Sequence, residues 1–200
     1  MAEHEVSSKI LSSHFYHNDG HLTFDEMLSQ ARFSMNKSDH FQLEDNHTLA
    51  SDLAALGYPG FSHLTFCRKR EPAKVLLSAL SVKNLDARLT EALPWVLLEY
   101  PDLDWRWLVQ EAELNELQNK LRFLTNVARR LAEKLGKHET VSLLREQESD
   151  LERSRLAREE TLCHESLQSE RRWLQSNRSD EAKHWNLLTD LSPEHLSHVL

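Results

Sequence analysis

The chain has 200 residues, of which 40% are apolar and 28% are charged, and its formal net charge is −8. This composition permits one ordinary domain with a hydrophobic core, and the negative charge argues against uniform attraction to nucleic acid. Only 4 Gly and 5 Pro are present, too few for the many turns of an all-β fold. The sequence therefore predicts an all-α protein.

The start of the chain, MAEHEVSSKILSSH, lacks the basic residues and apolar run of a secretory signal. Its apolar runs are also far shorter than the ~20 residues that cross a bilayer. Cys67 and Cys163 offer no disulfide framework and suit a reducing compartment. We therefore expect a cytoplasmic protein that does not contact membranes.

Residues 48–70 have the outline of a helix-turn-helix. Helical spacing of Leu49, Leu53 and Leu56 predicts a first helix that ends at Gly57. A second helix is predicted from Phe61, closing with basic residues that are candidates for DNA contacts: Arg68, Lys69 and Arg70. The alternative is a helical hairpin with a solvated basic end, because cations also complement a helix C-terminus. Leu53 favours this alternative, because helix-turn-helix motifs usually have a small residue four positions before the turn glycine, here Gly57, so that the two helices can approach closely.

Residues 85–135 carry the strongest helical pattern in the chain. One apolar stripe, interrupted at Pro94, runs from Leu85 to Tyr100 and predicts a kink or a new helix there. The link YPDLDW predicts a helix stop before Pro101 and a cap at Asp102 or Asp104. Beyond it, a second set of apolar residues recurs every three or four positions, which predicts one side of a single helix: Leu114, Leu117, Leu121, Leu124, Ala128, Leu131 and Leu135.

After Gly136 the apolar positions become sparse and the sequence is highly charged. We therefore predict a helical core over residues 1–137 and an extended C-terminal helical interaction region over 138–200. A narrow apolar seam on a charged helix is typical of a partner-binding segment or a coiled coil. The predicted partner-binding residues are Leu151, Leu156, Leu162 and Trp173, and self-association as a homodimer is a further expectation.

Arg178 and His184 form an R-x5-H pair similar to the motif of helical HEPN ribonucleases. Histidine can transfer protons and arginine can stabilise charge on a phosphate, so these are the alternative catalytic residues. Ser179 departs from the Asn, Asp or His usual after that arginine. His14, His17 and His21, like His195 and His198, are interpreted as surface histidines because no cysteine joins them at ligand spacing. No metal or other cofactor is expected.

The stretch LDARLTEALPWVLLEYPDLDWRWLVQEAELNELQNKLRFLTNVARRLAE, residues 85–133, resembles a segment of bacterial helix-turn-helix regulators and antitoxins. Some of these are paired with a nucleotidyltransferase-type toxin. The most specific pieces are EALPW, YPDLDW and LQNKL, and the likeness extends weakly through LASDLAALGYPGFSHL. The pattern has Gly where this chain has Arg122, so the close helix packing that glycine would permit is not implied at that position. The resemblance implies a regulatory or toxin-neutralising protein and supplies no catalytic residues.

Together these observations predict a non-enzymatic antitoxin that binds a cognate toxin and regulates its own transcription through operator DNA. An acidic helical surface can cover a basic, nucleic-acid-handling surface on the toxin. The alternatives are a DNA-binding regulator without a toxin partner and the ribonuclease described above.

Overall fold

A computed structural model describes residues 45–65, 69–162 and 168–196. These residues form eight α-helices and a two-stranded sheet, which confirms the all-α class. In chain order the elements are α1 (Asn46–Leu56), a 3₁₀-helix (Pro59–Phe61), α2 (Pro72–Ser81), α3 (Ala87–Glu99), α4 (Trp105–Leu114), α5 (Gln118–Lys134), α6 (His138–Glu152), β1 (Glu160–Thr161), α7 (Gln168–Asn177), α8 (Asp180–His184) and β2 (Leu187–Leu188). None of these helices combines the length and apolar content of a membrane span.

Local sequence signals determine where several helices begin and end. Gly57 takes a left-handed conformation with φ of 101°, which ends α1 as predicted. The side chain of Asp104 accepts a hydrogen bond from the backbone N–H of Trp107 at 3.1 Å, so Asp104 is the cap of α4. Pro94 lies inside α3, and the helix continues through it rather than starting afresh there.

The predicted second helix of the 48–70 hairpin is wrong over the residues described. After the 3₁₀-helix, residues 62–65 and 69–71 are not helical, and the next helix starts only at Pro72. Tight aromatic packing explains the short turn, because the Tyr58 ring lies 5.4 Å from that of Phe61 and 5.2 Å from that of Trp95. A Cβ atom at Gly60 would lie 2.6 Å from the Tyr58 ring. The turn therefore needs glycine at this position.

The single helix predicted through Leu114 and Leu135 is also wrong, because α4 and α5 are separate helices. The chain reverses at Glu116, whose φ is 57°, and the backbone N–H of Leu117 donates to the carbonyl of Ala112 at 2.7 Å. This closed turn leaves Leu114 59% exposed, whereas Leu121, Leu124 and the other central members of the stripe are buried. The spacing of apolar residues continues across this turn, so the spacing alone does not reveal the break between α4 and α5.

The region after residue 137 is not an extended appendage, which corrects the predicted domain division. The described residues belong to one compact unit, and α6 packs along α5 in a helical hairpin joined at Gly136. Residues of α6, of α8 and the residue after it, and of the segments at or after the two strands enter the same hydrophobic core as α1–α5: Val141, Leu144, Leu151, Leu162, Ala182, Trp185, Leu187, Leu191 and Leu196.

A short parallel sheet was not predicted from the sequence. Glu160 pairs with Leu187 and Thr161 with Leu188, and the two strands are linked by α7 and α8. The backbone N–H of Glu160 donates to the carbonyl of Asn186 at 3.0 Å. This pairing holds both ends of the α7–α8 segment at one place on the core.

Candidate partner-binding surface

Of the four predicted partner-binding residues, only Trp173 presents a largely exposed side chain. Trp173 is 54% exposed on α7, whereas Leu151 is 0% and Leu162 is 2% exposed. Leu156 is half-buried. The assignment of Leu151 and Leu162 as partner contacts is therefore wrong, because apolar residues of the same chain already cover them.

The backbone around Leu156 is held by the side chain of Asn119, which is fully buried on α5. Asn119 Nδ2 donates to the carbonyls of Leu156 at 3.0 Å and Trp185 at 2.9 Å. Its Oδ1 accepts from the backbone N–H of Leu156 at 2.9 Å. One amide thus satisfies backbone groups from two distant segments, and these bonds position the chain on either side of α7.

A buried ionic cluster fixes α6 and Trp185 against α5. Arg122 Nη2 lies 3.0 Å and Arg129 Nε 2.9 Å from the two carboxylate oxygens of Glu148. Arg122 Nε also donates to the Glu148 carbonyl at 2.9 Å, and its guanidinium lies 4.9 Å from the centre of the Trp185 ring. Arg122 therefore fills the space between three segments, which explains how the chain accommodates arginine where the resemblance expects glycine.

The cations of this cluster respond differently to their surroundings. Burial lowers the pKa of Arg122, partly opposed by the negative charge of Glu148. At Arg129 burial also acts to lower the pKa, but Glu148 and Glu133 outweigh it and raise the pKa. Both guanidinium groups remain charged at neutral pH because arginine titrates far above it.

The polar residues of α5 that make these contacts are regularly spaced in the sequence. Polar side chains follow one another at helical spacing along α5 and form a stripe beside the apolar one: Asn119, Arg122, Asn126 and Arg129. Asn119 and Asn126 are buried, and the side chains of Arg122 and Arg129 are only 12% and 16% exposed. Such a stripe on a central helix indicates a polar contact with another part of the protein.

Arg178, predicted as an alternative catalytic residue, anchors the end of α7. Its Nη1 donates to the carbonyl of Leu187 at 2.9 Å, and its Nη2 lies 3.1 Å from Glu159 Oε2. Gln175 Nε2 donates to the other Glu159 oxygen at 3.0 Å. These bonds tie the C-terminal end of α7 to Leu187 of β2 and to Glu159 beside β1, and Leu174 of the same helix is buried. The face with Trp173 is therefore held in a defined position.

His184 contacts a different partner from Arg178. Its Nε2 lies 2.9 Å from Glu152 Oε1 at the end of α6, and its ring meets that of Trp185 edge to face at 5.0 Å. Arg178 and His184 each stabilise the packing of the C-terminal region, and the ribonuclease remains a prediction from the sequence motif.

The predicted DNA-binding residues Lys69 and Arg70 make contacts within the chain. Arg70 Nη1 lies 2.8 Å from Asp52 Oδ2, and its Nη2 donates to Ser78 Oγ at 3.1 Å. Lys69 Nζ lies 3.3 Å from the hydroxyl of Tyr100 and over its ring. Arg68 lies outside the described residues. Because no recognition helix carries Lys69 or Arg70, the geometry predicted for a DNA contact is not formed.

Most of the histidines that stand close together in the sequence are not among the residues that the structure describes. His14, His17, His21 and His198 lie outside the described residues, and His195 is exposed. Across residues 45–65, 69–162 and 168–196, no three histidine, cysteine or acidic side chains are placed to hold a metal ion.

Comparisons of the chain with protein-family models, curated proteins and solved structures find no match.

Proposed function

We propose that the protein is a non-enzymatic antitoxin that binds and neutralises a toxin through the exposed face of α7. The observation that carries this proposal is the 54% exposure of Trp173 on a helix whose opposite side is anchored. Tryptophan contributes disproportionately to binding energy when a partner buries it. A helix that is already formed and held by contacts within the chain also loses little conformational freedom on binding, which favours affinity.

Charge supports a basic partner. The net charge of −8 favours rapid encounter with a cationic surface, such as that of a toxin that handles nucleic acid. The resemblance of residues 85–133 to regulators and antitoxins is consistent with the same role. Transcriptional autoregulation through the 48–70 region is left out of the proposal, because no recognition helix carries Lys69 or Arg70.

The test begins with affinity capture of the full chain from its native host and identification of the co-purifying protein. Expressing that protein alone should arrest growth, and co-expressing this chain should restore it. Trp173→Ala should weaken the complex by at least about 30-fold, which corresponds to ~2 kcal/mol for a tryptophan hot spot, and it should abolish rescue.

Leu114→Ala is the matched control, because Leu114 is an exposed large apolar residue on α4. It should leave affinity and growth rescue unchanged. A chain that remains alone after capture, or a captured protein that does not arrest growth, would contradict the antitoxin proposal. Equal effects of Trp173→Ala and Leu114→Ala would show that α7 is not the surface that binds the toxin.

A further inference from the structure

A groove lies between the first turns of α3 and the segment that follows β2. Its volume is about 420 Å³, within the ~300–1,000 Å³ range of pockets that hold small ligands. Three leucines that are themselves buried line its apolar part: Leu85, Leu162 and Leu191. The groove can therefore accept apolar portions of one or two side chains.

Acidic residues from three separate elements line the same groove. Glu91 comes from α3, Glu170 from α7, and Asp190 from the segment after β2. Thr90 and Thr189 add hydroxyl groups beside them, and no basic side chain lines the groove within the described part of the chain. An apolar floor with carboxylates above it matches a long side chain that ends in a positive charge.

The groove is continuous with the candidate partner-binding surface through α7. Glu170 and Trp173 are three residues apart on this helix, so they lie on neighbouring positions of one side. A partner that covers Trp173 can thus extend into the groove.

We propose that this groove binds a lysine- or arginine-bearing peptide segment of the partner protein. The aliphatic part of the side chain would pack on Leu85, Leu162 and Leu191, and its cation would pair with Glu91 and Asp190. This inference rests on the proposed function for the identity of the partner, but the groove can be tested without it. The first 46 residues of this chain carry 8 acidic and 3 basic side chains, a negative balance that disfavours them as the occupant of an acidic groove.

The experiment titrates the full-length protein with a capped peptide of alternating leucine and arginine. A second peptide carries citrulline, which is neutral and nearly the same shape, in place of arginine. Backbone amide NMR shifts should change around Thr90, Glu91 and Asp190 with the arginine peptide, and its affinity should exceed that of the citrulline peptide by at least about tenfold. Added salt should reduce the difference.

The variant Glu91→Gln with Asp190→Asn should weaken arginine-peptide binding by at least about tenfold. The matched control is Glu99→Gln with Asp102→Asn, which removes the same charge from exposed positions near the other end of α3. The control pair should change affinity by less than about twofold.

Equal binding of the two peptides would overturn the groove proposal, and this comparison does not depend on the folding of any variant. Equal weakening by the two charge variants, or NMR shifts centred elsewhere, would also overturn it by showing general attraction to an acidic protein. Failure of growth rescue together with specific peptide binding would instead reject the antitoxin and leave the groove assigned.

Discussion

The guanidinium of Arg122 on α5 lies 4.9 Å from the centre of the Trp185 ring, which follows α8. The same side chain bonds both the carboxylate and the backbone carbonyl of Glu148 on α6. Arg122 thus joins the central helix to two parts of a region that looks, from its charge, like a free appendage. The stability of the C-terminal region should therefore depend strongly on Arg122 and its neighbours.

Replacing Arg122 with lysine should lower the free energy of unfolding by about 2 kcal/mol, the scale of a desolvated cation–π contact. Lysine keeps the charge but loses the planar group that faces Trp185 and bonds Glu148 at two points. Urea unfolding followed by circular dichroism measures the change. Arg145→Lys serves as the control, because the Arg145 side chain is 66% exposed, and a similar loss in both variants would contradict the role given to Arg122.

The substitution Glu148→Gln should destabilise the fold by about 3–5 kcal/mol, since it removes the carboxylate that pairs with two largely buried guanidinium groups and leaves Arg129 only its partner Glu133. The Glu148 side chain is only 7% exposed and lies between Arg122 and Arg129. Thermal and urea unfolding should both report the loss. Glu146→Gln, on the exposed side of the same helix, should have little effect, and equal stabilities for the two variants would show that the cluster contributes nothing.

Loss of the Asn119 amide should cost about 3 kcal/mol, because Asn119→Ala removes three hydrogen bonds and leaves backbone groups of Leu156 and Trp185 short of partners. Hydrogen exchange should accelerate first in β1 and β2, the strands beside these groups. Asn115→Ala removes only a local bond to the carbonyl of Glu111 at an exposed position. Exchange in the strands that is unchanged in Asn119→Ala would contradict the prediction.

Arg70→Ala separates a structural role from a DNA-binding role. We expect a loss of about 2 kcal/mol in stability, because the substitution removes the ion pair with the buried carboxylate of Asp52. A phosphate contact would instead leave stability unchanged and reduce the salt dependence of DNA binding by one phosphate, a slope change of about 1. Arg88→Ala, at an exposed position, is the control for general loss of positive charge.

Glu160→Gln should stabilise the protein at neutral pH. Burial raises the pKa of Glu160 above its ordinary value near 4.5, partly opposed by Lys120 and Arg158. The buried Oε1 makes no hydrogen bond within the described residues. The folded state therefore favours the protonated acid, and stability falls as pH rises from the ordinary pKa through the raised folded-state value.

The gain in stability from Glu160→Gln should accordingly be present at pH 7 and shrink as pH falls towards 4. At that pH the Glu160 carboxyl of the wild-type protein is mostly protonated in both the folded and the unfolded state. Urea midpoints measured across this range test the sign. Glu113→Gln, at an exposed position on α4, should show no such trend. A stabilisation that grows at low pH would contradict the assignment.

Several local features could be predicted because neighbouring residues determine them. The end of α1 at Gly57 and the cap of α4 at Asp104 followed from helical spacing and turn chemistry. The break between α4 and α5 could not, since the apolar period runs across Glu116 and only a left-handed backbone interrupts it. The candidate surface was partly predicted: Trp173 is exposed, but the leucines named with it are largely covered.

The helical class and the apolar stripes can be read from the sequence alone, because helix formation and amphipathic spacing depend on residues a few positions apart. That residues beyond 137 complete the core became clear from the three-dimensional packing. That outcome depends on long-range contacts, above all Arg122 with Glu148 and Trp185 and Asn119 with Leu156. Few leucines suffice in this region, because buried polar side chains of α5 form hydrogen bonds and ion pairs with the charged segment and hold it against the core. The spacing of the apolar residues alone does not reveal this arrangement.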